Sequence, residues 1–315
     1  MIQRRAVATT LGAALIGLSG FAQAQQAQEI YIPLVSKGFQ HQFWQAVKSG
    51  AEQAAKDLKV KVSFEGPETE AMVDKQIDML SAALAKKPQA IGFAALDSQA
   101  AIPLLKKAQA AKIPVVAFDS GVDSDIPVTT TTTDNKAAAA LAADKMAQLV
   151  GDAGEVALVV HDQTSRTGID RRDGFVERMK SAHPNVKVVS VQYGGGDHLK
   201  STEIAKSMLQ AYPNLKGIFG ANEGSVAGVV NAVRETHRKI VVIGYDSGKQ
   251  QKDAIRDGIE AGAITQNPVG IGYKTVEAAV KALKGEKLPK VIDTGFYWYD
   301  KTNIDDPKIA AVLYD

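Results

Sequence analysis

A short segment occurs twice in this chain. Val115-Val116-Ala117-Phe118-Asp119-Ser120-Gly121 returns as Val242-Ile243-Gly244-Tyr245-Asp246-Ser247-Gly248. Each copy is a run of mostly apolar residues that stops on an aromatic residue, an aspartate and a serine, then turns at glycine. Runs of this kind belong to parallel sheets covered on both faces, and such sheets bind ligands beyond the carboxyl ends of their strands. A single Asp-Ser-Gly is ordinary turn chemistry. Two copies, each closing a buried strand, predict two similar α/β halves that each present a carboxylate to one cleft.

The rest of the chain alternates strand-like and helix-like runs. Strands are expected at 30–35, 60–64, 90–94 and 114–118, with helices at 42–58, 70–85 and 99–111 between them. In the first helix Phe43, Val47, Ala51, Ala54 and Leu58 share one side. Five threonines, Thr129 to Thr133, favour extended backbone and form the natural crossover between halves; Asp134 then caps an alanine-rich helix over 136–150. Further strands are expected at 155–160, 187–192, 217–219, 240–244 and 262–265. Helices at 169–181, 198–211, 225–234, 249–257 and 270–283 separate or follow them, and the tail from Val291 reads as a strand plus surface coil. The fold class is therefore α/β, two doubly wound parallel-sheet lobes. That the final helix returns to the first lobe, so that several crossings join the two as a hinge, is topology by analogy and not shown by periodicity. The expected division is a leader over 1–24, one lobe from 25–133 plus about 267–292, and a second from 134–266 plus about 293–315.

The leader is read from its composition. Arg4 and Arg5 precede an apolar stretch from Ala6 to Phe21, and Ala22-Gln23-Ala24 is a small-x-small cleavage site. The stretch is too short and too weakly hydrophobic for a stable membrane span. No cysteine marks the cleavage point for lipid attachment, and with no cysteine anywhere, stability must come from a core rather than from disulfides. The formal charge is +2, and loss of Arg4 and Arg5 leaves a neutral mature chain. A neutral chain without a basic block argues against nucleic acid and anionic membranes as partners.

Phosphate-binding loops, nucleophile elbows and histidine pairs at metal-ligand spacing are all missing from the pattern, so neither a cofactor nor a metal is expected. Gly194-Gly195-Gly196 lacks the lysine-serine that would make it a phosphate cradle and reads as a plain flexible loop. His183 and His237 read as solvated loop residues. What recurs is polar chemistry at strand ends: Ser36, Asp119, Ser120, Asn222, Asp246 and Gln266, joined by Arg171 at a helix start. Carboxylates accept hydrogen bonds from hydroxyls, amides donate and accept, and arginine donates a fork of N–H groups. Phe43 and Trp44 can stack on the C–H face of a sugar. Because Phe43 shares the apolar side with Val47, Trp44 is the stronger stacking candidate.

These residues resemble the ribose-binding-protein group of periplasmic solute-binding proteins that serve ABC importers. The resemblance is carried by Val35-Ser36 leading to Phe43-Trp44, Val116 to Asp119, Asp134-Asn135-Lys136, Arg171 to Phe175, Phe219 to Glu223, Gly244-Tyr245-Asp246, Gln266-Asn267-Pro268 and Lys284 to Lys287. It implies the type I periplasmic binding protein fold, a periplasmic location, no enzymatic activity, and a monomer closing on a monosaccharide or polyol. It further implies a permease as partner; the alternatives are a ligand-bound sensor partner for a chemoreceptor or sensor kinase and, ranked below it, an exported α/β sugar-modifying enzyme. Ser36, Phe43, Trp44 and Asp119 would face Arg171, Asn222, Asp246 and Gln266 across the cleft. His41 stands where the group carries asparagine, Ser120 where it carries arginine, and Gly196 near a stacking phenylalanine. With Glu223 nearby, those departures predict a less positive pocket, suited to an amino sugar or a hydroxyl-rich sugar rather than to ribose, an acid or a phosphate.

Overall fold

The computed structural model describes residues 29–315, so the leader and its cleavage site lie outside the described residues. The chain builds two six-stranded sheets. In the first half β1 (Tyr31–Val35), α1 (Gln42–Leu58), β2 (Lys61–Glu65), α2 (Val73–Ala85), β3 (Ile91–Phe93), α3 (Ile102–Ala110), β4 (Val115–Phe118) and β5 (Thr129–Thr132) follow in order. The second half runs α4 (Asn135–Val150), β6 (Gly154–Val160), α5 (Arg166–Ala182), β7 (Val186–Tyr193), α6 (His198–Ala211), β8 (Leu215–Gly220), α7 (Glu223–Thr236), β9 (Val241–Tyr245), α8 (Lys249–Arg256) and β10 (Gly262–Gln266). Four elements complete the chain: α9 (Pro268–Leu283), β11 (Val291–Asp293), β12 (Phe296–Tyr299) and α10 (Pro307–Ala310).

The strand orders are 11-5-4-3-1-2 and 12-10-9-8-6-7. Every pairing is parallel except β10 with β12, so the last strand caps the second sheet antiparallel. Each sheet is buried on both faces. On one side of the first sheet α1 and α9 form a core with Trp44, Phe118 and Ile271, and on the other α2 and α3 enclose Leu80, Phe93 and Leu105. The second sheet lies between α4 with α5 and α6 with α7. That double cover explains why β4 and β9 are apolar along their whole length.

The threonine run is a strand of the first sheet rather than a bare linker. Thr129 and Thr131 are buried, and the Thr131 and Thr275 hydroxyls meet at 2.6 Å, tying β5 to α9. The chain then passes between the sheets three times, after β5, after β10 and after β11. These crossings lie side by side: Thr133 Oγ1 donates to Gln266 Oε1 at 2.9 Å, and Thr294 N donates to the Thr132 carbonyl at 2.9 Å.

The expected surface coil at the C-terminus is a packed element. Ile304 and Ile309 bury against Ile255, Ala263 and Tyr299, and Tyr314 joins the core of the first lobe, its ring 6.1 Å from Phe43. The aromatic side chain outweighs the irregular backbone signal, because burying it removes a large apolar area from water. Among the described residues no helix is long and apolar enough to cross a membrane.

Candidate functional site

Both copies of the repeated segment end in an uncommon backbone. Asp119 has φ 56° and Asp246 φ 82°, in the left-handed region that non-glycine residues rarely occupy. In each, the N–H stays on the sheet, donating to Thr131 O at 2.8 Å and to Ile264 O at 2.7 Å. The turn thus follows immediately on the ladder, and both carboxylates line one cavity between the lobes.

That cavity brings together His41, Phe43, Trp44, Asp119, Arg171, Asn222, Asp246 and Gln266, eight of the ten residues expected from the sequence. Ser36 and Ser120 are buried but do not line it. Ser36 Oγ donates toward the Gly38 and Glu65 carbonyls, both at 3.2 Å, and so shapes the loop after β1. Ser120 is turned back toward the first lobe, where its carbonyl accepts from Ala95 N at 2.9 Å. Asp119 and Ser120 lie beyond the end of β4, in the turn, where Asp119 borders the cavity and Ser120 does not.

Phe43 and Trp44 both border the cavity while sitting in the core of the first lobe, so packing and site membership are not exclusive for either. Trp44 Nε1 donates to Glu70 Oε1 at 2.8 Å, and its ring packs edge-on to Phe43 and Phe118. Arg171 is held in place from three sides. Its Nε donates to Asn135 Oδ1 at 2.8 Å, its Nη1 to Ala221 O at 2.9 Å, and its guanidinium lies 3.7 Å from the centre of the Tyr245 ring. Asn222 caps α7 by accepting from Ser225 N at 2.9 Å, which fixes its amide at the cavity wall.

Lys37, Glu70, His161 and Thr167 complete the lining and were not singled out in the sequence. Lys37 and His161 each follow a strand, at β1 and β6, so the same strand-end signal marks them. Glu70 precedes α2 with no comparable signal. Lys37 Nζ donates across the cleft to Thr167 Oγ1 at 3.2 Å and lies 3.8 Å from both Glu70 and Asp162.

The charges are set by this crowding. Burial pulls the Lys37 ammonium down, but Glu70, Asp162 and Asp119 outweigh it and leave its pKa raised. Burial likewise opposes protonation of His41, yet Glu70 dominates and raises His41 to about 9, so the imidazole is charged at neutral pH. Glu70 is driven well below the usual carboxylate range by Lys37 and His41, against the effect of its burial. For Asp119 burial wins over Lys37 and Arg171 and lifts the carboxyl to about 6. His161 is pushed down by burial and by Lys37 and is neutral. Lys37 and charged His41 supply the positive charge that Ser120 lacks. In the same lining Glu70, Asp119 and Asp246 stand against Lys37, His41 and Arg171, so the added cations are matched by carboxylates.

The triple glycine is also more than a flexible loop. Gly195 and Gly196 take φ 68° and 69°, and the Gly196 carbonyl accepts from Gln40 Nε2 at 3.1 Å and meets His41 Nε2 at 2.9 Å across the cleft. His183 is only half-buried by solvent standards but is paired with Asp144 at 2.8 Å at the end of α5, whereas His237 is exposed.

Two α/β lobes, three adjacent crossings and a polar cavity at the strand ends define a binding protein that closes over its ligand. The chain belongs to the periplasmic binding protein domain family, which it matches over residues 32–287. It is 29% identical to the D-allose-binding periplasmic protein of Escherichia coli, over 89% of this chain and 91% of that protein. It is 27% identical to the D-ribose/D-allose-binding protein of Pseudomonas aeruginosa, over 89% and 90%. Among solved structures, a carbohydrate transporter solute-binding protein of Agrobacterium radiobacter in complex with D-arabinose superposes with a TM-score of 0.87 at 32% identity, over 91% of this chain and 99% of that one. An ABC transporter solute-binding protein of Agrobacterium vitis with bound D-fucose does so at 0.87 and 34%, over 90% and 100%.

Proposed function

We propose that the protein captures a neutral monosaccharide between its lobes and delivers it to an ABC-type permease, without chemically altering it. The observation that carries this reading is Asp119, a buried carboxylate that makes no side-chain hydrogen bond among the described residues while bordering the cavity. A buried acceptor without a donor is costly, and sugar hydroxyls are donors. Arg171, Asn222 and Lys37 add donors, while Phe43 and Trp44 offer apolar surface to ring carbons. Lys37, His41 and Arg171 are matched by Glu70, Asp119 and Asp246 in the lining, which leaves no excess of positive charge for an acid or a phosphate.

The space left between the side chains is about 20 Å³, little more than one water requires. A sugar therefore enters with the lobes parted, and closure forms around it. The lobes of this reading are 25–133 with about 267–292, and 134–266 with about 293–315, swinging about the three crossings. Relatives named for allose and ribose binding, and solved structures holding D-arabinose and D-fucose, support pentoses and hexoses as the ligand class. Export through the leader over 1–24 to the periplasm completes the proposal.

The test is a thermal-shift screen of ligand-stripped mature protein against aldopentoses, aldohexoses, ketoses, amino sugars, polyols and sugar acids. A ligand that binds only the folded state adds about 2.7 kcal/mol at a hundredfold excess over Kd. The expected result is a clear rise in melting temperature with one or a few neutral stereoisomers. A rise confined to amino sugars or acids, or no rise with any sugar, overturns the reading.

A further inference from the structure

Helices α1 and α8 both start at the cleft, and neither carries a capping side chain of its own. His41 and Gly248 occupy their N-cap positions and accept nothing from the first turn with their side chains. By contrast α4, α5, α6, α7 and α9 are capped by Asp134, Ser165, Asp197, Asn222 and Asn267, while α2 and α3 also lack a side-chain cap and receive none from the opposite lobe. The first N–H groups of a helix have no partner within it and form the positive end of its dipole, so a carboxylate there is stabilising.

For α1 and α8 the cap comes from the opposite lobe. Glu223 accepts from Gln42 N at 3.0 Å with one carboxylate oxygen and from Phe43 N at 3.1 Å with the other. In return Gln42 Oε1 accepts from Lys249 N, the first residue of α8, at 2.8 Å. The Tyr314 hydroxyl donates to Glu223 Oε2 at 3.3 Å and steadies it. Glu223 and Gln42 lie outside the polar cavity, on the wall of a larger opening of about 380 Å³ at the cleft mouth.

We infer that this reciprocal capping, of α1 by Glu223 and of α8 by Gln42, is a closure latch that holds the lobes together independently of ligand. Parting the lobes hands the N–H groups to water and pulls Glu223 away from the helix end, so each contact exists only in the closed form. A latch of this kind populates the closed form of the empty receptor. It also tunes affinity from outside the ligand site, because apparent affinity scales with the population of the binding-competent form.

The chain has no cysteine, so spin labels at cysteines introduced for exposed Lys75 on α2 and Lys200 on α6 report the distance between lobes. In ligand-free protein a short-distance population is expected, reduced about tenfold by Glu223→Ala with Gln42→Ala, as several net-modest hydrogen bonds are lost together. Glu223→Gln keeps one acceptor oxygen and should recover part of that population, which a merely structural effect on α7 would not do. Identical distance distributions in wild type and double variant, or no short-distance population in wild type, would overturn the latch. The distance measurement needs no sugar, so its outcome is separate from that of the monosaccharide reading on which only the affinity effect rests. With a ligand in hand, the double variant should bind it about tenfold more weakly through faster release, and unchanged affinity alongside a changed distance distribution would restrict the latch to the empty form.

Discussion

Asp119 and Asp246 close corresponding strands with the same left-handed backbone, yet their carboxylates live in opposite conditions. Asp246 is satisfied from within: Gln266 Nε2 donates to one oxygen at 2.8 Å and Glu223 N to the other at 3.0 Å. Asp119 receives no such bond among the described residues and has its carboxyl raised to about 6 by burial. The same segment thus ends in one aspartate that organises the second lobe and one whose carboxylate borders the cavity with no side-chain partner among the described residues.

This asymmetry separates two substitutions. Asp119→Asn removes a charge that burial disfavours, so ligand-free protein should melt higher at pH 7, by an amount equivalent to about 1–3 kcal/mol. The same change should weaken sugar binding by about 1.5–3 kcal/mol for each charge-assisted bond lost. Asp246→Ala should lower both, because it leaves the Gln266 amide and the Glu223 N–H buried without an acceptor, at about 1–3 kcal/mol each. Calorimetric unfolding and titration on both variants check the contrast, and a lower melting temperature for Asp119→Asn would refute it.

Binding should depend on pH through Asp119. Its folded pKa of about 6 is above the ordinary 3.8, so the stability it lends the empty protein is present at low pH and lost as pH rises through about 6. Sugar hydroxyls donate to the ionised form and so lower that pKa in the complex. Affinity should be flat above about pH 6.5 and fall below 6, approaching tenfold per pH unit, with proton release on binding near pH 6. Titration calorimetry in buffers of different ionisation enthalpy measures that release directly; its absence would mean Asp119 does not meet a donor in the complex.

Arg171→Lys should be severe despite keeping the charge. A lysine cannot reach Asn135 and Ala221 together while lying flat on Tyr245. Loss of one or two charged hydrogen bonds predicts affinity lower by about 10–100-fold or more. Asn135 Oδ1, which also accepts from Tyr245 Oη at 2.9 Å, stays partly satisfied, so the fold should survive. Far-ultraviolet circular dichroism alongside a binding titration separates the two effects.

The first lobe depends on the close approach of α1 and α9. A Cβ at Gly272 would stand 1.9 Å from the Val47 carbonyl, and one at Gly50 2.0 Å from that of Val269. Gly272→Ala should therefore cost more than the usual overpacking penalty of about 1–3 kcal/mol, since backbone rather than a flexible side chain must move. Urea unfolding of the variant reads this, and a loss below about 0.5 kcal/mol would show that the two helices can slide apart.

Much of the site was legible because strand ends announce themselves. Apolar runs that stop at Asp119, Asn222, Asp246 and Gln266 put polar groups on one edge of each sheet, and those four meet in the cavity. Ser36 and Ser120 carry the same signal but do not line the cavity, because the signal marks position along the strand and not which way a side chain turns. Lys37 and His161 also satisfied it, but a lone lysine or histidine after a strand looks like any solvated loop residue until the opposite lobe covers it. The C-terminal tail was misjudged for a related reason: its irregular backbone hides that Tyr314 is buried between the lobes.

The sequence by itself determined the alternation of strands and helices, the double cover of both sheets and the carboxylates at two equivalent strand ends. These follow from periodicity and from local turn and capping chemistry, which act within a few residues. Only the tertiary structure decided that Glu70, 26 residues from Trp44, would bond to it, that Lys37 would reach Thr167, and that Glu223 would cap a helix 180 residues away. Those contacts depend on where one lobe meets the other. Charge and capping across a cleft are properties of distance in space, and no local pattern along the chain carries that distance.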